Sequence, residues 1–359
     1  GFRNNQWETD ERASALSGET YRDKFFVKST SCARCPVACG KISKVEQGAY
    51  APLTAKTPEY ESLFSLGTMQ ELFDPAAVLE ANRLCDELGV DTITMGVTLA
   101  FACECVEKGL LSREGVGFSL EFGNAEASLE AIRRTAAKEG FGARLAEGSV
   151  RLAAEIGNGA ERFLYAVRGA EIAAHSARIL KGMSLGYATG TRGGSHQDTR
   201  PTMQYGPDQD NRDPAAQPAW AVRSQHFTAV GDSLAQCRLV AERGFGKMIN
   251  DTYAEMIHHV TGWDVTADEL ERIGERIYNL ERAFNVREGT RRAEDALPYR
   301  VMNEPVPSGA HEGMHCPQAE LDGMLDAYYR LRSWSPEGVP SREKLEDLGL
   351  TGVADDLGY

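Results

Sequence analysis

Apolar residues recur along this chain mainly at helical spacing. Asp74-Pro75 supplies an N-cap followed by proline at the first helical position. From residue 76 to 88 the apolar Val78, Leu79, Leu84 and Leu88 share one broad face, and Gly89 closes the segment. Asp91-Thr92 predicts the cap of a second helix running through Met95, Leu99, Ala102 and Val106 to Gly109. The same periodicity predicts helices over 129–139, 143–156, 253–260, 268–286 and 321–332, with a loop and a short helix after Trp334. Strand signals are few. Residues 189–213 are rich in Gly, Asp, Arg and Pro without an apolar period, which predicts irregular backbone. A loop of that length inside a compact domain is functional or disordered.

The 359 residues have volume for two domains, and we place the division at 1–165 and 166–359. With 39 Lys+Arg against 53 Asp+Glu the net charge is −14, which argues against nucleic acid as the main partner. No apolar run reaches the ~18–20 residues of a membrane span. These features predict a soluble protein away from membranes, and eight cysteines, too sparse for a disulfide scaffold, fit a reducing cytoplasm. The chain opens on Gly1 and a polar stretch with no signal segment, as expected for a fragment or processed chain.

Cysteine distribution adds chemistry. Cys85, Cys103 and Cys105 sit in apolar helical surroundings, where core packing is the expected role. Cys32, Cys35 and Cys39 instead cluster in TSCARCPVACGK. Three thiols at this spacing suit a [4Fe–4S] cluster with a distant fourth ligand. Zinc, or a disulfide beside a free thiol, are the rivals. A second signal is Asp86-Glu87-Leu88-Gly89-Val90-Asp91 at the junction of two predicted helices. Its carboxylates would grip a ligand rich in N–H donors, although capping alone also accounts for them. Asp232-Ser233-Leu234-Ala235-Gln236-Cys237 partly echoes it. Pro58-Glu59-Tyr60-Glu61 reads as a solvated face or a paired carboxylate, and His196 as a surface or a site histidine. His258-His259 suits a helix C-terminus.

Taken together, these blocks resemble the aldehyde ferredoxin oxidoreductase family of tungsten–pterin enzymes. The resemblance runs from TSCARCPVACGK through TPEYESLFSLG and EANRLCDELGVDTITMG, then LGYATGTRGGSHQDTRP, GDSLAQC and FNVREGTRRAEDALPYR, to PSREKLEDLGL. It implies a mainly α fold of two packed helical domains around a cofactor-facing cleft, without the family's N-terminal β-rich domain. It also implies that Cys32, Cys35, Cys39 and Cys237 hold one [4Fe–4S] cluster. Asp86, Gly89, Asp91 and Asp232 would bind a tungsten (or molybdenum) bis-pterin. Glu61, with Glu59 as the lesser candidate, and His196 match the active-site positions. Ala235-Gln236 departs from the family's Gly-Leu. Glu80 matches half of a motif that holds iron between subunits in some members, but Arg83 stands at the histidine position, so no such iron is expected.

The implied activity is oxidation of a small aldehyde, with electrons passing to a ferredoxin-like carrier and a homodimer among the arrangements the family uses. A benzoyl-CoA reductase-type catalytic subunit is the alternative within the superfamily. An electron-transfer or assembly module is the alternative outside it. Without the β-rich domain, weak pterin binding and no turnover are expected.

Overall fold

The computed structural model describes residues 1–199, 212–244, 246 and 248–358. It is mostly helical, and the chain divides into two compact units. The first comprises Gly1–Ser176 with Pro298–Met314, the second Ala177–Leu297 with His315–Tyr359.

The first unit begins with α1 (Gly18–Phe25), capped by the Ser17 hydroxyl, and a three-stranded antiparallel sheet. Its strands are β1 (Phe26–Thr30), β2 (Gly40–Val45) and β3 (Leu53–Lys56), with β2 in the middle. This sheet is invisible to the helix-period reading because its strands are short and β1 is exposed along nearly all its length. Next come α2 (Pro75–Leu88) and α3 (Thr92–Glu107). Asp74 accepts from the Ala76 and Ala77 N–H groups, and Asp91 from that of Thr94, as the pattern predicts. α4 (Ala125–Ala137) starts earlier than the apolar period suggests, because Asn124 caps it. The helix expected over 143–156 is in fact two: Phe141–Leu145 and α5 (Gly148–Ile156). Gly148 has φ +83°, a left-handed conformation that interrupts α-helical geometry.

These helices enclose a core that includes Leu66, Val78, Leu99, Phe101 and Ile132. Gly96 of α3 lies so close to the Ser65 backbone that a Cβ would meet its carbonyl at 2.3 Å. That approach seats the segment Tyr60–Gln70 directly on α3. The short helix Tyr299–Asn303 returns to this unit through Arg300, buried and bidentate to Glu104 at 2.8 and 3.0 Å. Asn4 donates to the same carboxylate at 2.7 Å.

The second unit contains α6 (Lys181–Thr189), α7 (Gln217–Ser233), α8 (Arg238–Gly244), α9 (Asp251–Thr261), α10 (Ala267–Arg287) and α11 (Gln318–Arg332). Thr266 and Glu269 form a capping box at the start of α10. Gly274 of α10 approaches the His226 backbone of α7, where a Cβ would meet the carbonyl at 2.6 Å. Where helices cross this closely, side chains that project from the crossing interlock. Gln225 Oε1 accepts from Tyr328 and Arg332, and Trp334 donates to Asn279 at 2.7 Å. Among the described residues no single helix is long and apolar enough to cross a membrane.

Candidate functional site

The thiol triplet occupies the connection between β1 and β2, whose last rung pairs Thr30 with Gly40. A Cβ on Gly40 would lie 2.8 Å from Thr30 Cγ2 and 3.1 Å from its carbonyl oxygen, so glycine permits this closure. The Cys35 N–H donates to Cys32 O at 3.1 Å, and Arg34 and Ala38 take φ +60° and +46°. Lys41 Nζ donates to Ala38 O at 2.7 Å and ties down the end of the loop. Cys32 and Cys39 are exposed, Cys35 is half-buried, and all three are free thiols. Burial instead pushes the thiols of Cys85, Cys105 and Cys316 up to about 12, and that of Cys103 up as well. Those four pack the core. In the second unit Cys237 is exposed and free just ahead of α8, with its carbonyl accepting from Ala241.

The two Asp motifs form matching corners. At the end of α2, Gly89 has φ +68° and the Val90 N–H reaches back to Cys85 O at 2.9 Å. At the end of α7, Ala235 has φ +52° and the Gln236 N–H reaches back to Gly231 O at 2.9 Å. Both are Schellman-type ends with a left-handed residue three positions after the aspartate. Ala235 therefore keeps the turn that glycine makes in the first motif. Capping explains Asp91 but not Asp86. Asp86 accepts from Asn82 at 3.3 Å and keeps an exposed carboxylate.

Glu61 is buried (8 % exposed) at the start of a helical turn that continues as a π-turn over Leu63–Gly67. The solvated-face reading of PEYE therefore applies to Glu59 and fails for Glu61. The Ala174 N–H donates to Glu61 Oε2 at 2.7 Å. His175 Nε2 stands 3.9 Å from Glu61 Oε1, with its ring edge-on to Tyr60. Ser62 and Thr92 share a hydroxyl hydrogen bond of 2.9 Å, which places the Glu61 segment beside the Asp91 corner. Lys56 completes this neighbourhood. Its ammonium lies 3.0 Å from Glu59. Its pKa is raised first by that hydrogen bond and further by the charges of Asp86 and Cys39, against the opposing effect of burial. The strand that follows the thiol loop and the Asp91 corner both adjoin the PEYE segment, the first through the Thr57 N–H to Lys41 O at 2.8 Å and the second through Ser62 and Thr92. Sequence reasoning missed Lys56 and His175, which lack a motif spacing and are placed by packing.

In the second unit His196 is buried, contrary to the surface reading, and its Nε2 shares a 2.9 Å hydrogen bond with Gln197. Arg192 Nε donates to the buried Asp198 at 2.8 Å, and Arg192 Nη2 lies 3.5 Å from Asp232. These three line a cleft of about 300 Å³ with Glu281 and Tyr278. Burial raises the Glu281 pKa, and the charges of Asp198 and Asp232 add to the rise. Asp232 and the loop carrying His196 are therefore brought together. The remainder of the long polar segment, residues 200–211, lies outside the described residues. Arg83 grips Glu80 through two hydrogen bonds of 2.7 and 2.8 Å, so a guanidinium neutralises that carboxylate.

Several known proteins are similar to this chain. The tungsten-containing aldehyde ferredoxin oxidoreductase of Pyrococcus furiosus is 38 % identical over 344 residues, covering 93 % of this chain and 54 % of that protein. That of Thermococcus kodakarensis is 36 % identical over 97 % of this chain and 57 % of its own length. A Pyrococcus furiosus protein described as an aliphatic sulfonate oxidoreductase, WOR-like subunit, is 31 % identical over 88 % of this chain and 49 % of its own. The chain thus spans about half the length of these relatives. The fold is shared with the active-site complex BamBC of benzoyl coenzyme A reductase, at a TM-score of 0.75 and 23 % identity over 97 % of this chain and 56 % of that one. Residues 1–350 match the family described as aldehyde ferredoxin oxidoreductase, domains 2 & 3, and with 38 % identity to its tungsten-containing relatives the chain belongs to that family.

Proposed function

We propose that this chain forms the helical part of an oxidoreductase that converts an aldehyde and water to a carboxylic acid, releasing two electrons and two protons. The observation that carries this reading is that the segment of the buried Glu61 adjoins both the strand after the free-thiol loop and the Asp91 corner, in a chain of this family. The donor set fits the groups the family implies. Cys32, Cys35, Cys39 and Cys237 are free and accessible, while the remaining four thiols are buried. These four would hold a [4Fe–4S] cluster. Asp86, Asp91 and Asp232, on corners closed by Gly89 and Ala235, would accept N–H groups from a tungsten bis-pterin.

When bound, that cofactor would supply two-electron oxidation and the cluster a one-electron relay toward a ferredoxin-like carrier. Glu61 accepts the proton of water or of the aldehyde hydrate, and the Ala174 N–H and His175 beside it hold its carboxylate in place. His196 donates to the oxyanion that develops at the carbonyl oxygen. Arg192 orients Asp232. A second reading, a substrate other than an aldehyde, is favoured by the 31 % identical relative described as an aliphatic sulfonate oxidoreductase subunit.

The test is anaerobic production, with iron and tungstate, of a longer chain that adds the family's remaining domain, followed by metal analysis and viologen reduction by a simple aldehyde. Glu61→Gln should abolish turnover and leave iron unchanged. Cys237→Ala should abolish the reduced-cluster EPR signal. Four irons retained with an unaltered signal in Cys237→Ala would remove Cys237 from the ligand set. Turnover persisting in Glu61→Gln would remove Glu61 as the base.

A further inference from the structure

The surface around β1 is unlike the rest of this acidic molecule. Residues 22–46 hold six basic side chains and two acidic ones, within a chain of net charge −14. Two of the cations are answered locally, by the pairs Arg22–Asp23 and Lys44–Glu46. Lys24, Lys28 and Arg34 are exposed and have no partner among the described residues.

Between them lies apolar surface. Phe26 is 44 % exposed, Val27 50 % and Val37 53 %. Phe26 is a wall shared by two grooves. One, of about 410 Å³, is also lined by Lys24, Val27, Lys44 and Glu46, the last paired with Lys44. The other, of about 400 Å³, is lined by Tyr21, Pro58 and Leu63 and is mostly apolar. β1 is an edge strand with a register shift between Phe26 and Lys28, so its outer N–H and C=O groups face away from the sheet. A lysine in an exposed edge strand guards against self-pairing, and Lys28 does at least that. Guarding does not call for exposed Phe26, Val27 and Val37 beside two more free cations. An apolar centre with a rim of one charge is the anatomy of a docking surface, and the rim selects a partner of the opposite sign.

We propose that the β1 edge and the thiol loop form the docking surface for a small acidic electron-carrier protein. The identity of the partner as an electron carrier rests on the functional reading above, because the exposed Cys32 and Cys39 lie in the loop that this strand feeds. Its acidity rests on Lys24, Lys28 and Arg34. Contact is made by Phe26 and Val27 against an apolar patch, with the cations setting orientation and encounter rate.

The experiment measures binding of the 359-residue chain to an acidic two-cluster bacterial ferredoxin by calorimetry across a salt series. The triple variant K24E/K28E/R34E should bind at least about ten-fold more weakly, since reversing rim charges turns attraction into repulsion. Phe26→Ser should weaken binding at every salt concentration. Lys108→Glu, on an exposed cation outside this surface, should bind like the parent. Affinity of the parent should fall as salt rises. Equal binding by the triple variant, no binding by the parent, or loss of binding in a longer chain whose added domain covers Phe26 would each overturn the proposal. So would tighter binding to anionic lipid vesicles than to the ferredoxin. The readout does not depend on tungsten. Charge-dependent binding by a longer chain that carries the family's remaining domain and tungsten, yet turns over no aldehyde, would sink the functional reading alone. Dye-linked turnover without carrier binding would sink the docking surface alone.

Discussion

Ala235 stands in a conformation that its side chain disfavours. At φ +52° an L-residue places Cβ against the following carbonyl, at about 1–2 kcal/mol, and glycine escapes this. The corner persists because the Gln236 N–H satisfies the Gly231 carbonyl and Tyr253 OH donates to the Gln236 side chain at 2.6 Å. Ala235→Gly should therefore raise stability by about 1 kcal/mol, less the extra chain entropy that glycine loses on folding. Urea unfolding would measure it, and a lower midpoint with unchanged slope would refute the claim of strain. Gly89 at the matching corner has already made this exchange, which is why the first motif reads clearly in the sequence and the second only as an echo. Other residues of the site were legible only through the family resemblance, as Glu61 was, or not at all. Glu61 and its neighbour Tyr60 are indistinguishable from a solvated pair by spacing, and the burial of Glu61 follows from the π-turn and from Gly96 beneath it. His175 and Lys56 acquire their partners only when segments distant in sequence pack together.

At the level of elements, α7, α10 and α11 share a buried network in which His226 is the titrating member. Its Nδ1 faces Glu271 at 2.9 Å and its Nε2 accepts from Arg332 at 2.8 Å. Burial first, and the Arg332 cation second, lower its pKa, while Glu271 and Glu275 oppose them. The folded state therefore holds this ring neutral at a pH where the unfolded chain binds a proton. The stability this contributes is present above the unfolded value near 6.5 and is lost as pH falls below it. Thermal melting should thus decline between about pH 7 and 5, the interval around an ordinary histidine pKa, and His226→Gln should flatten the slope there. A slope equal to the parent's would assign the decline to other groups. Of these helices α10 and α11 were legible, from the 3.6-residue periodicity over 268–286 and 321–332, whereas α7 was not, because it is buried on most of its faces and shows no single apolar stripe. The β1–β2–β3 sheet was not, since Phe26–Thr30 has no buried face to produce an alternation. Nor does any periodicity announce that Pro298–Met314 returns to the first unit. The buried Arg300–Glu104 pair that fastens it joins residues nearly two hundred positions apart.

Across the whole molecule, the candidate constellation is divided between the two compact units. The first holds the thiol triplet, the Asp86–Asp91 corner, Glu61 and His175; the second holds Cys237, Asp232, Arg192 and His196. On the ligand set proposed above, the first unit supplies three cluster thiols and the second one, so assembly of that cluster would need the whole chain. A bis-pterin is larger than the cleft of about 300 Å³ that Arg192 and Asp232 line. The carboxylates Asp86 and Asp232 are exposed and would hold only edges of such a ligand. Partial enclosure leaves most of its polar surface in water, where each hydrogen bond contributes little net affinity. The chain spans about half the length of its tungsten-containing relatives, and the rest of such a protein is the natural source of further walls. The 359 residues by themselves should therefore assemble the iron–sulfur cluster but retain little tungsten and reduce no viologen with aldehyde. A longer chain that adds the family's remaining domain should retain tungsten and turn over. Iron and tungsten contents, with the viologen assay on both, decide this. Brisk aldehyde oxidation by the 359 residues alone would mean that these two units already enclose the cofactor.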